Sequence, residues 1–173
     1  MHRRTRQLPR AFTLVEILVV VVILGIASAV ILPQLGSRDD VRAKSAARMV
    51  MADFIYAQNL AIARQSPRYV VFTPSGYSIR ESPSGSPINH PIDKTPFIVT
   101  FNEKQLKDIT MTGWNFGGPS TLGFDELGAP FSYDVSATPA DALLNSRGSI
   151  VITSGSYSLT VFIEPFTGEA TVE

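Results

Sequence analysis

The chain has 173 residues, 45% of them apolar, which is enough for one globular domain with a hydrophobic core and an appended element. It contains no cysteine, which excludes a disulfide framework, a thiolate zinc site and a cysteine nucleophile. The formal net charge is zero, but four arginines lie within the first ten residues, so acidic residues outnumber basic ones in the rest of the chain. No basic face for nucleic acid is predicted.

An apolar run without charged residues extends from Ile17 to Leu32, directly after the arginine-rich start. With residues 12–15 it reaches about 20 residues, the length that a helix needs to cross ~30 Å of hydrocarbon. The next basic residue is Arg38. The positive-inside rule therefore predicts one membrane span, with a cytoplasmic N-terminus and an extracytoplasmic remainder.

Three interpretations of this segment are open. Ala27-Ser28-Ala29 has the form of a signal-peptidase site, and cleavage after Ala29 would release an exported β-sandwich binding protein. The segment could instead be an uncut anchor, with Glu16 reaching the cytoplasmic headgroups. In the third interpretation, cleavage occurs before the apolar run, and the helix stays on the mature protein.

The third interpretation depends on Ala11-Phe12-Thr13-Leu14-Val15-Glu16 behind a short basic leader. This stretch resembles the class III leader of type IV prepilins and type II secretion pseudopilins, whose pattern is a small residue, normally glycine, then Phe-Thr-Leu-x-Glu. Phe-Thr-Leu-Val-Glu matches in full, and Ala11 stands where glycine is usual. The resemblance implies cleavage between Ala11 and Phe12 by a prepilin peptidase, followed by N-methylation of Phe12.

Glu16 is the one charged side chain between Phe12 and Leu32, and a carboxylate costs free energy near a membrane unless it has a partner. The new α-amino group of Phe12 would be such a partner. The resemblance implies that Glu16 meets the amine of a neighbouring subunit and so sets subunit register in a filament.

Pro33 predicts a kink after the apolar helix, because proline lacks an N–H and clashes with the preceding turn. A second helix is predicted from about Val41 to Gln65, where Ser66-Pro67 ends it. Helical spacing gives this helix one apolar stripe, formed by Val50, Phe54, Ala57 and Ala61.

The remainder of the chain predicts β structure, with a first hairpin around Pro74-Ser75-Gly76. Loops are predicted at 82–91 and 134–147, the second with a possible helical turn at 140–144. The predicted strands are 69–73, 77–80, 96–101, 109–112, 122–124, 131–133, 149–153, 157–163 and 170–172. The fold class is therefore α+β: a long N-terminal helix, transmembrane in its first half, packed against C-terminal antiparallel β-sheets.

A second and weaker resemblance covers Phe124 to Asp134 and Gly148 to Val172, together with Asn59 to Phe72. These stretches look like H-type minor pseudopilins and their FimT/FimU-type pilus relatives, in which an Asp-x-x-Gly strand pair precedes a hairpin and a closing Thr-Gly turn.

Side chains that could support catalysis or bind a metal are sparse. His2 lies in the leader, and His90 is predicted to be a solvated loop residue, since it has no second histidine for a metal site. Asp93, or Asp125 with Glu126, could contribute to a calcium loop, but the several oxygen ligands at defined spacing are not evident. We expect no enzyme, no cofactor and no metal.

The sequence thus predicts a leader at 1–11, a transmembrane and filament-core helix at 12–32, an extracytoplasmic helix at 33–66 and an antiparallel β domain at 67–173. The leader resemblance implies an inner-membrane subunit of a type II secretion pseudopilus or type IV pilus. Its expected partners are other pilins or pseudopilins, the prepilin peptidase, an inner-membrane assembly platform and membrane lipid, but no nucleic acid.

Overall fold

A computed structural model of the chain describes residues 12–31, 38–118, 120–137 and 141–173. The chain divides into two units, one up to Ser37 and one from Arg38 to Glu173. In the first unit the helix α1 spans Leu14–Ile31. Pro33 and its predicted kink lie outside the described residues.

The second unit begins with α2, Asp39–Arg64, close to the predicted bounds. Asp39 and Asp40 place negative charge at the amino end of α2, where it interacts favourably with the helix dipole. Gln65 ends the helix in a left-handed conformation, with φ of 47°, and its backbone N–H bonds to the last turn. The predicted stripe is confirmed, since Val50, Phe54, Ala57 and Ala61 are all buried.

In the described part of the chain after α2, ten strands form two antiparallel sheets. The six-stranded sheet has the order β3-β2-β1-β5-β6-β7, and the four-stranded sheet has the order β10-β9-β8-β4. The strands are β1 Arg68–Thr73, β2 Gly76–Arg80, β3 Ile98–Thr100, β4 Ile109–Asn115, β5 Thr121–Phe124, β6 Pro130–Tyr133, β7 Asp141–Leu143, β8 Gly148–Ser154, β9 Tyr157–Ile163 and β10 Ala170–Val172.

The helix α2 packs against strands of both sheets. Its buried side chains and those on the inner faces of the sheets form one core. Phe54 is central to this core: its ring meets that of Phe72 edge-on, with centroids 6.3 Å apart. Phe72 also packs on Phe116 and stacks on Trp114. The fold is therefore α+β, with a helix packed against antiparallel sheets as predicted.

Gln58 ties α2 to two turns of the β structure. Its Nε2 donates hydrogen bonds to the carbonyl oxygens of Gly128, at 2.8 Å, and Thr167, at 2.7 Å. Gly128 and Gly168 both have positive φ, and a Cβ at either position would approach Gln58 to 3.1 Å or less. Glycine therefore allows the β5–β6 and β9–β10 turns to approach the helix closely.

Two sequence predictions within the β domain were wrong in detail. Residues 141–143 form the edge strand β7, which pairs with β6, instead of a helical turn. The strand that pairs with it, Phe131 to Tyr133, lies earlier in the chain, so the local sequence at 140–144 does not reveal the pairing. The strand predicted at 96–101 is shorter, since β3 spans only Ile98–Thr100 and Pro96 instead forms an isolated antiparallel bridge with Asn89.

Candidate functional site

The amino end of α1 carries a local helix-start signal. Phe12 and Thr13 are not helical, and Leu14 is the first helical residue. The Thr13 hydroxyl oxygen accepts a hydrogen bond from the backbone N–H of Glu16 at 3.2 Å. This contact is one half of a capping box, the Thr-x-x-Glu pattern in which threonine precedes the helix and glutamate is its third residue. Thr13 therefore fixes where α1 begins.

Glu16 lies in the first turn of α1 and is exposed. A carboxylate at this end of a helix is stabilised by the helix dipole. Phe12, which is 75% exposed, is four residues before it. Ala11 lies outside the described residues, so the structure places Phe12 and Glu16 but not the predicted cleavage bond itself.

The surface of α1 is apolar on all sides. Each large apolar residue from Phe12 to Ile26 is at least 47% exposed. No helix among the described residues has the combined length and hydropathy expected of a membrane span.

The alternative cleavage triplet Ala27-Ser28-Ala29 lies inside α1. The Ser28 hydroxyl donates to the carbonyl oxygen of Leu24 at 2.7 Å, a back-bond that is common for serine within helices.

His90 differs from its prediction as a solvated loop residue. Its side chain is 30% exposed, and its ring packs edge-on against Phe97, with centroids 4.6 Å apart. Its Nδ1 lies 3.2 Å from a carboxylate oxygen of Asp93. Asp93 also accepts hydrogen bonds from the backbone and hydroxyl of Thr95, which lower the pKa of the carboxyl group.

Asp125, a calcium candidate, is a turn-forming residue. Its Oδ1 accepts hydrogen bonds from the backbone N–H groups of Leu127 and Ala129, at 2.9 and 2.7 Å. These bonds stabilise the Asp-x-x-Gly turn between β5 and β6. Within the part of the chain that the structure describes, no group of acidic or histidine side chains is arranged to hold a metal ion.

Sequence reasoning missed the pair formed by Asp53 and Tyr77. The buried Tyr77 hydroxyl donates to Asp53 Oδ2 at 2.5 Å. Burial raises the pKa of the Asp53 carboxyl group, although the bond from Tyr77 and the nearby His90 act in the opposite direction. Burial and the adjacent Asp53 raise the pKa of Tyr77 well above its usual value, so this hydroxyl stays a donor. The pair joins positions 24 residues apart, and no local motif marks it.

Comparison with known proteins gives one positive result. Residues 8–32 match the family model described as the prokaryotic N-terminal methylation motif, a type IV pilin-like leader. The match covers the last residues of the basic leader, Phe12, Glu16 and the whole apolar run to Leu32. No curated protein and no solved structure matches the chain. The class defined so far is an α+β protein with this leader motif.

Proposed function

We propose that the protein is a minor pilin or pseudopilin, a membrane-held precursor that joins a type IV pilus or a type II secretion pseudopilus. The methylation motif at residues 8–32 carries this proposal. Its support comes from the α+β domain, in which α2 presents one face to two antiparallel sheets. The H-type and FimT/FimU-type assignment rests on the weaker resemblance of the C-terminal third.

In this proposal a prepilin peptidase cuts between Ala11 and Phe12 in the inner membrane, and Phe12 is N-methylated. Methylation keeps the amine cationic. Residues 12–32 hold the subunit in lipid with the domain outside the cytoplasm, and later pack with other subunits as the filament core. The role of the molecule is mechanical, without catalysis or a cofactor.

Glu16 would pair with the Phe12 amine of a neighbouring subunit. An ammonium left in a low-dielectric filament core without a counter-charge is strongly unfavourable. The Thr13 contact, which uses the backbone N–H of Glu16, places residue 16 at the third position of a capping box, where a glutamate or glutamine side chain is suited to accept the N–H of the cap residue. A test must therefore separate the charge of residue 16 from its effect on the helix start.

Glu16→Gln makes this separation, because glutamine also serves in a capping box but carries no charge. We expect Glu16→Gln and Glu16→Leu to be inserted and cut, yet to lose incorporation into the filament. Glu16→Asp should be partly tolerated. Glu126→Gln is the matched control, since it makes the same chemical change at an exposed turn residue.

The measurement is crosslinking of mature protein to filament subunits, normalised to the amount processed. Normal incorporation of Glu16→Gln would remove the registration role. A defect in Glu16→Leu alone would assign the effect to the helix start instead.

A further inference from the structure

The strand β3 is an edge of the six-stranded sheet, and no described strand pairs with its far side. Hydrogen bonds from Ile79 N–H to Phe97 O and from Phe101 N–H to Ser75 O show which residues of this segment face β2. Antiparallel pairing alternates, so Ile98 and Thr100 direct their backbone N–H and C=O groups away from β2. The Ile98 N–H bonds locally to Pro96 O. Among the described residues, the carbonyl of Ile98 and the N–H and C=O groups of Thr100 therefore have no backbone partner, and another strand could pair with them.

A groove with a volume of about 490 Å³ lies alongside this edge. It is bounded by β3, by α2, by the loop around residues 90–97 and by the short helical turn Lys104–Leu106. Met49, Phe97 and Leu106 give it an apolar lining. Ile92 and Ile98 also line the groove, and they are 84% and 58% exposed. Apolar surface of this kind next to unpaired backbone groups is suited to an extended peptide.

The charge of the groove indicates the chemistry of its occupant. Three carboxylates line it, those of Asp53, Asp93 and Glu103, against the ammonium of Lys104 and the imidazole of His90. Asp53 is the deepest of the three, because Asp93 and Glu103 are exposed residues. Its Oδ2 is bonded to Tyr77, whereas its Oδ1 accepts no hydrogen bond from the described residues. Oδ1 is not among the buried atoms without a partner and Asp53 lines the groove, so a cationic side chain bound there would be placed to donate to it.

We propose that β3 and this groove bind an extended segment of a partner protein, which adds to the sheet as a strand and places a lysine or arginine side chain against Asp53. The backbone bonds to Ile98 and Thr100 would provide affinity that is independent of sequence, and Asp53 would select the basic residue. This binding does not depend on how the leader is processed, so it goes beyond the filament role proposed above.

The test uses the full-length chain in detergent micelles and a fluorescent peptide, acetyl-Thr-Val-Thr-Lys-Thr-Val-Thr-amide. Its affinity, from fluorescence polarisation, is compared with that of peptides in which glutamate or methionine replaces the lysine. Because a hydrogen bond between charged groups is strong, the lysine peptide should bind at least about tenfold more tightly than either. Asp53→Asn, which keeps an acceptor for Tyr77, should abolish that preference. Glu169→Gln, an exposed carboxylate outside the groove, should retain it.

A second pair of peptides tests strand addition without changing the protein. N-methyl groups are placed on the amides along one edge of the peptide or along the other. Only one edge can pair with β3, so one isomer should bind about as well as the parent and the other at least about tenfold more weakly.

The proposal is overturned if the lysine peptide does not bind, if all three central residues bind equally, or if Asp53→Asn keeps the preference. Equal binding of the two methylated isomers would also overturn it. If crosslinking shows that the chain associates with itself through this groove and Asp53→Asn abolishes that association, the occupant is a second copy of this chain and the assignment to a different partner is wrong. Circular dichroism of each variant confirms that it is folded.

Discussion

The hydroxyl of Thr13 accepts a hydrogen bond from the backbone N–H of Glu16, and this contact starts α1 two residues after Phe12. The bond to be cut in the proposed processing is therefore next to a non-helical residue.

Thr13→Ala removes the acceptor and should destabilise the first turn of α1 by about 1 kcal/mol. Thr13→Ser keeps a hydroxyl and is the matched control. The measurement is amide hydrogen exchange at Glu16 in the full-length chain. The alanine variant should exchange about fivefold faster than the serine variant, as this free energy implies. Equal exchange in both variants would show that the hydroxyl does not hold the helix start.

Phe54→Asp should unfold the domain formed by Arg38–Glu173, because it buries a charge without a partner where the native side chain is 1% exposed. Ile55→Asp is the control, since Ile55 is the next residue and is 47% exposed. Thermal unfolding followed by circular dichroism should show a folded Ile55→Asp and no cooperative transition for Phe54→Asp. A normal melt for Phe54→Asp would mean that another face of α2 is buried.

Gln58→Leu should cost about 1–3 kcal/mol for each carbonyl that is left without a donor and without water, at Gly128 and Thr167. Asn59→Leu makes a similar change at the neighbouring exposed position. Urea unfolding of the two variants gives the comparison. If both lose the same stability, the contact between α2 and the two turns contributes little.

The raised pKa of Asp53 predicts that the stability of the domain falls as the pH rises. Burial raises the pKa of Asp53 above its usual value of 3.8, so the native state binds this proton more tightly than the unfolded state does. Stability is therefore lost as the pH rises from the unfolded pKa through the raised native pKa, and the loss is complete above it. Asparagine cannot ionise. We expect Asp53→Asn to gain stability relative to the native chain above this window and to lose that gain as the pH falls below it.

Urea unfolding at a series of pH values, with Glu169→Gln as the control, measures this difference. A relative stability of Asp53→Asn that rises as the pH falls would contradict the assigned direction of the pKa shift.

The sequence pattern was sufficient to predict those features that depend on residues close together in the chain. The stripe of Val50 and Phe54 and the hairpin around Ser75 were predicted correctly for this reason. The Thr13 cap was not predicted, although its Thr-x-x-Glu pattern is a local signal for it. In contrast, the burial of His90 against Phe97, the pairing of β7 with β6 and the bond between Asp53 and Tyr77 depend on contacts that only the folded chain creates.

If the chain is a processed filament subunit, as proposed, the mass of its mature amino-terminal peptide shows this most directly. The protein is purified from membranes of a host with a prepilin peptidase, digested and analysed by mass spectrometry. We predict a peptide that begins at Phe12 and carries one N-methyl group, with Ala11→Gly cut as well or better. A mature chain that begins at Val30, or one that keeps its first eleven residues, would contradict the proposed function.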